Sequence, residues 1–251
     1  MKSPARFALS IAATIAVAAI STMAPGSAAF ADAQTDTRTG ERHVYIGSFD
    51  RIRVQGPFAV RVIEGSPDAI LSGDPRIIES VEVRVDGTTL TVRNAMGAWG
   101  ERPRATATRP VIVTLRTRSV ANALVIGGGK LSLARMKATR VDLSVTGAGA
   151  IEARGIEADQ ASATIIGGGA IMMAGTARTA RLLTNGPAAI DASALSAGDL
   201  TVRVDGPGAV KAAARFTARV DNIGLGQVEI SGKPKCTVKA DVGGAVSCGA
   251  E

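Results

Sequence analysis

What the 251-residue sequence has little of settles the first questions. It holds one histidine, two cysteines, one tryptophan and one tyrosine, and aromatics make up 3% of it. The lone histidine, His43, lies in a polar lead-in and reads as a solvated residue, which leaves no base for a Ser-His-Asp or Cys-His arrangement. Cys236 and Cys248 lack the histidine or carboxylate spacing of a zinc site. Gly128-Gly129-Lys130 runs into Leu131 rather than Ser or Thr, so it is not a phosphate loop. Basic residues are not interleaved with aromatics, which excludes the usual single-strand nucleic-acid groove. No cofactor is expected.

Long apolar runs are equally scarce. Phe7 to about Ala24 follows Lys2 and Arg6 and precedes small residues, the layout of a secretory signal peptide. Ala29-Phe30-Ala31 fits cleavage before Asp32, and Ala31-Asp32-Ala33 fits cleavage before Gln34; residues 1–31 are assigned to the leader. An uncleaved anchor is the rival reading, since the run is near the lower limit for spanning a bilayer. No cysteine follows, which excludes a lipoprotein anchor. Cleavage leaves a chain with no stable membrane span, secreted across the inner membrane to the periplasm or cell surface. It removes two basic residues and no acidic one from a chain of formal charge +7. The remaining charge of about +5 is mildly basic and suits solubility or anionic envelope polymers.

Glycine is plentiful, at 29 residues, and its spacing organises the chain. Segments at 127–133, 147–153, 167–173, 186–192, 206–212, 224–230 and 242–248 superpose without gaps on a Gly-x-Gly core. Their apolar anchors are Leu131, Ile151, Ile171, Ile190, Val210, Val228 and Val246, and the steps between them are 20, 20, 19, 20, 18 and 18. Residues two, four and six places before each turn are apolar or small, as at Val141, Leu143 and Val145. Period-two alternation predicts strands. A unit this short cannot bury its own inward face and must stack on the next. The expected fold is all-β: a right-handed, parallel β-helix-like solenoid with coils of about 20 residues. Seven coils at about 4.8 Å make a rod of about 34 Å. With so few aromatics its core is thin.

The expected organisation is a polar lead-in at 32–43, a degenerate amino-terminal half at 44–118 and regular Gly-x-Gly repeats at 119–251. In the amino-terminal half, RIRVQGPFAVRV (51–62) repeats the pattern in worn form, and VEVRVDGTTLTV (81–92) reads as a hairpin about Asp86-Gly87. Residues 94–110 form an irregular loop, and long loops are often functional.

The opening FDRIRVQGPFAVRVIEG, the later VEVRVDGTTLTVRN and the serial Gly-x-Gly coils resemble the bacterial family of unknown function described as a putative auto-transporter adhesin head, or GIN, domain. The resemblance spans about residues 44 to 248. It implies a right-handed β-helix-like envelope protein with an adhesive role, and it supplies no catalytic or binding residues. Ala188 and Val242 stand where the pattern expects glycine.

The best ligand or partner candidates are Trp99, Arg102, Arg104 and Arg109 in the irregular loop. An indole beside guanidinium groups suits stacking on an envelope glycan or gripping an acidic polymer. The alternative is a structural or assembly scaffold of the envelope. More distant is a carbohydrate-active β-helix enzyme using Glu152 and Asp191, which lie two coils apart on the outward column Ser132, Glu152, Met172, Asp191, Lys211, Glu229 and Ser247. Mixed charge there also serves solvation and edge protection. The chain is therefore expected to be a non-catalytic binding or adhesion module. The terminal coil, with only three residues after Cys248, should be covered by another copy or by a segment of the amino-terminal half.

Cys236 falls in the inward column of Ala121, Val141, Ala161, Ala180, Leu200 and Ala218. Cys248 falls in the inward column of Leu133, Ala153, Met173, Ala192, Ala212 and Ile230. The two are symmetric about residue 242, so a strand running out to that turn and back sets them opposite each other, and a disulfide is expected.

Overall fold

A computed structural model describes residues 40–95, 111–240 and 244–250. In chain order the elements are β1 (Gly40–Val44), β2 (Arg51–Gln55), β3 (Ala59–Glu64), β4 (Asp68–Gly73), a short helix α1 (Pro75–Glu79), β5 (Val81–Asp86), β6 (Thr89–Asn94) and β7 (Ile112–Thr117). There follow β8 (Asn122–Ile126), β9 (Lys130–Leu133), β10 (Met136–Thr146), β11 (Ala150–Ile166), β12 (Ala170–Asn185), β13 (Ala189–Asp205), β14 (Ala209–Asn222), β15 (Gln227–Ser231), β16 (Lys235–Ala240) and β17 (Val246–Ala250). They form a β-solenoid of about 6 turns, each of about 20 residues.

Each regular coil contributes three paired stretches. The first wall is the strand before the glycine turn, the second wall is the strand after it, and the third is the return. The anchor residues pair in one continuous parallel column, from Leu131 through Ile151, Ile171, Ile190, Val210 and Val228 to Val246. All but the last are buried. Val141, Leu143 and Val145 on the first wall are buried too and pair with Ala161, Ala163 and Ile165 of the next coil. Alternation thus does what it predicts: one face of each strand fills the thin core and the other meets water.

The glycines carry the hydrogen-bond ladder around the corner. Gly147, Gly167, Gly186 and Gly206 hold φ between +104° and +113°. Their neighbours donate rung to rung, with Gly147 N to Ile166 O at 2.9 Å and Ala170 N to Gly149 O at 3.0 Å. The second glycine is needed for space: a Cβ on Gly169 would sit 2.5 Å from Val145 Cγ1 and 2.7 Å from Gly149 O. Ala188 occupies the same turn position and is buried, its N–H donating to Gly186 O at 2.9 Å. Val242 lies outside the described residues.

The amino-terminal half is β-structured but not serially stacked. β2 and β3 form a coil that lies parallel on β8 and β9. Yet β6 and β7, later in the chain, stack on the other side of β2 and β3. Beyond them, β5 closes the first wall as an antiparallel hairpin with β6, about Gly87 at φ +60°. β4 and then β1 extend the second wall, each antiparallel to its neighbour. His43 therefore lies in a strand, exposed, with Nε2 3.0 Å from Glu41 Oε1. The described strands of this half thus lie at the end opposite to the carboxyl-terminal coil.

Cys236 and Cys248 are bonded, with Cα atoms 6.4 Å apart. Their columns are those expected, since Cys236 pairs with Ala218 and Cys248 with Ile230. Cys236 is nonetheless exposed, because no described coil follows to bury the column.

Candidate ligand-binding surfaces

The outward positions of a solenoid strand are released from the core, so they are where a ligand can be met. On the first wall two outward columns run side by side at the edge. One carries Arg140, Gln160, Thr179, Asp199 and Thr217; the other carries Asp142, Ser162, Arg181, Thr201 and Arg219. They line a groove of about 470 Å³ from Arg140 to Thr201. Its ends are internally braced. Arg140 Nε donates to Gln160 Oε1 at 3.0 Å, and Thr217 Oγ1 donates to Asp199 Oδ1 at 2.6 Å. Between them Asp142, Ser162, Arg181 and Thr201 point out with donors and acceptors in mixed order. Two guanidinium groups and two carboxylates balance within the groove, so it offers directional hydrogen bonds rather than a field of one sign.

The second wall presents a smoother depression of about 510 Å³. Its floor is the outward column Ala150, Ala170, Ala189 and Ala209, beside Glu152, Met172, Asp191 and Lys211. Met172 is 51% exposed. Glu152 and Asp191 are separated by Met172 in register. Each carboxylate is already engaged: Glu152 with Arg154, and Asp191 with Ser193, whose N–H and hydroxyl donate to Oδ1 at 3.0 and 2.6 Å. The Ser193 hydroxyl, then its N–H, hold the Asp191 carboxyl below the usual carboxylate range. An Asp191 carboxyl held low in this way is the opposite of the raised general acid that a paired-carboxylate glycosidase needs. On the return face, hydrogen bonding and charge from Lys137, with Arg135 behind it, lower Glu157 as well. Among the described residues no group of His, Cys, Asp and Glu could hold a metal ion.

Trp99, Arg102, Arg104 and Arg109 lie outside the described residues. Arg116 and Arg118, which follow them, are exposed at the end of β7. The sequence signal for the first-wall groove is the outward positions beside Val141, at Arg140 and Asp142 and their equivalents in the next coils, which the apolar columns leave unspecified.

No helix among the described residues is long and apolar enough to cross a membrane. No curated protein is similar enough in sequence to match. Solved structures match in fold. A putative adhesin from Bacteroides fragilis superposes with a TM-score of 0.71 at 17% identity, over 83% of this chain and 96% of that one. A protein from Parabacteroides distasonis named a putative lipid binding protein gives 0.69 at 16% identity, over 84% and 96%. A putative adhesin from Parabacteroides merdae gives 0.64 at 16%, again over 84% and 96%. At these identities the likeness is one of fold. Residues 48–234 match a family directly, and the chain belongs to it: the family described as "Putative auto-transporter adhesin, head GIN domain".

Proposed function

We propose that the protein is an exported, non-catalytic binding module of the cell envelope that takes a glycan along its first wall. The observation that carries this reading is the groove from Arg140 to Thr201. Successive coils set polar side chains about 4.8 Å apart, comparable with the length of one sugar ring. The side chains are the types that bind sugar hydroxyls: carboxylate and amide acceptors, guanidinium donors and hydroxyls that do both. They stand on strands locked by neighbours on either side, so little ordering entropy is lost on binding. The balanced charge of the groove favours a glycan over an acidic polymer, whose partner would be a one-signed surface. The family description and the adhesin relatives agree with a binding role, and the engaged carboxylates of the second wall argue against hydrolysis.

Calorimetry against envelope polysaccharides and lipopolysaccharide tests it. A glycan that binds should lose tenfold or more of its affinity, about 1.4 kcal/mol, with Arg181→Ala or Asp142→Ala, while Arg154→Ala on the second wall leaves it unchanged. Binding abolished by Trp99→Ala but untouched by both groove changes would move the site to the 94–110 stretch. No binding to any envelope glycan would overturn the reading.

A further inference from the structure

Each end of the solenoid leaves a strand with one side unpaired among the described residues. At the carboxyl end this strand is β16, which pairs only with β14, and all six of its residues are exposed. Cys236, Val238 and Ala240 belong to inward columns, so apolar surface meant for a core faces outward, with Val238 46% exposed. Lys235 and Lys239 flank them on the outward side; Lys239 stands beside Asp221 in register, and neither lysine forms an ion pair within 4.0 Å among the described residues. At the other end is β5, which pairs only with β6. It presents half-buried Val83 and Val85 on the inward side and Glu82, Arg84 and Asp86 on the outward side. Both strands close the same wall.

We propose that copies of this chain stack head to tail, the β16 edge of one docking antiparallel on the β5 edge of the next. The charges select this pairing over its rivals. Keeping inward faces aligned, two β16 edges would meet antiparallel with Lys235 opposite Lys239 in both directions. Two β5 edges would set Arg84 against Arg84, and Glu82 against Asp86. Like charges directly opposite are destabilising. In the mixed pairing the spacing of four residues matches: Lys235 faces Asp86, which also holds Arg84 at 3.0 Å, and Lys239 faces Glu82, which also holds Arg93 at 3.0 Å, so each new contact extends an exposed ion pair. The same register sets Cys236 and Val238 against Val85 and Val83, continuing the inward columns, and the contact stops short of Val81, which is buried and whose carbonyl accepts from the Arg42 guanidinium at 2.8 Å. Edge lysines commonly protect strands from pairing with their like; here they leave one partner of opposite charge, the far end of another copy. On the second wall β17 would meet β1, the strand that closes that wall. Such a contact is heterologous and does not close on itself, so it makes a linear assembly. It is independent of the glycan reading.

Sedimentation of the exported protein at rising concentration and low salt tests it. The expected result is a ladder of species heavier than monomer that collapses in high salt, where exposed charges are screened. Lys235→Glu with Lys239→Glu should give monomer, and so should Glu82→Lys with Asp86→Lys. An equimolar mixture of the two variants should assemble again, because each then offers the end that the other requires. A wild type that stays monomeric at all concentrations would overturn the proposal. So would variants that assemble like the wild type, or a mixture that stays monomeric while both variants keep native circular dichroism. Loss of assembly in only one variant would show that the partner edge is not the one named.

Discussion

Ile171→Asp is the sharpest test of how the solenoid holds together. Ile171 is 1% exposed and stacks between Ile151 and Ile190 in the anchor column. Removing the isoleucine side chain costs about 2 to 5 kcal/mol. An aspartate there must protonate to avoid an unpaired charge in a dry core. At pH 7 that costs about 4 kcal/mol from its ordinary pKa, and an unpartnered hydroxyl and carbonyl add about 1 to 3. The total of about 7 to 12 kcal/mol rivals the whole stability of an ordinary domain, about 5 to 15. In a solenoid the damage is not confined to one coil, because each coil contacts only its neighbours and losing an internal one leaves two short stacks. Forty residues away, Lys211→Asp breaks the exposed pair with Glu229, 3.3 Å long, and sets an aspartate in register between Asp191 and Glu229; lost pair and like-charge contacts, all exposed, are together worth at most about 3 kcal/mol. Urea melts followed by circular dichroism should show Ile171→Asp unfolded in buffer and Lys211→Asp folded, within about 3 kcal/mol of wild type. Equal damage from both, or a wild-type midpoint for Ile171→Asp, would mean that the core is not built from these columns.

Gly169→Ala should destabilise by several kcal/mol, about the range for core overpacking, because its Cβ would meet Val145 Cγ1 and the Gly149 carbonyl. Gly168→Ala, whose nearest neighbour would be Pro187 Cγ at 3.9 Å, should change stability by less than about 0.5 kcal/mol in the same melts. Opening the Cys236–Cys248 bridge should cost about 3 kcal/mol by the loop-entropy estimate. The loss should appear as faster amide exchange confined to β15, β16 and β17, and intact mass after alkylation without reduction should show no added groups. Thr184→Val should be neutral or stabilising by about 1 kcal/mol, since Thr184 Oγ1 is buried with no partner and its column neighbours are Ile165 and Val204. A thermal midpoint lowered by this change would mean that the hydroxyl has a partner in the folded protein.

The regular coils were legible because two local rules act together there. Alternation fixes which side chains face inward, and glycine marks the corner, so the spacing of Leu131, Ile151 and Ile171 in sequence is the pairing register itself. The shortened coils were legible as numbers but not as geometry. Their missing residues are absorbed on the return, where the register slips between Met172 and Ala174 and between Ala192 and Ser196. The disulfide was readable for the same reason as the columns, whereas the exposure of Cys236 was not, since a repeat pattern does not say where stacking stops. The order of the amino-terminal strands was out of reach. Alternation identifies β2, β6 and β8 as strands with an inward face, yet that β2 lies between β6 and β8 is a long-range pairing that no local pattern specifies.

The candidate surface shows the same division between what repetition fixes and what it leaves free. Inward columns are restricted to valine, isoleucine, leucine, alanine and a few others, since each member must fit the coil above and below. The outward column beside the groove changes chemistry at every coil: Arg140, Gln160, Thr179, Asp199, Thr217. A face kept only for solubility needs charge and little else, and alternating lysine and glutamate would meet that need. Amide, hydroxyl, guanidinium and carboxylate in succession are what a surface needs to read the donors and acceptors of a bound molecule. Stability and recognition are therefore carried by different residues of the same strands. Arg181 is exposed while its chain neighbours Ala180 and Leu182 are buried, so Arg181→Ala should weaken binding without moving the urea midpoint. If the midpoint falls with the affinity, the outward column is part of the scaffold and the groove is not a separate site.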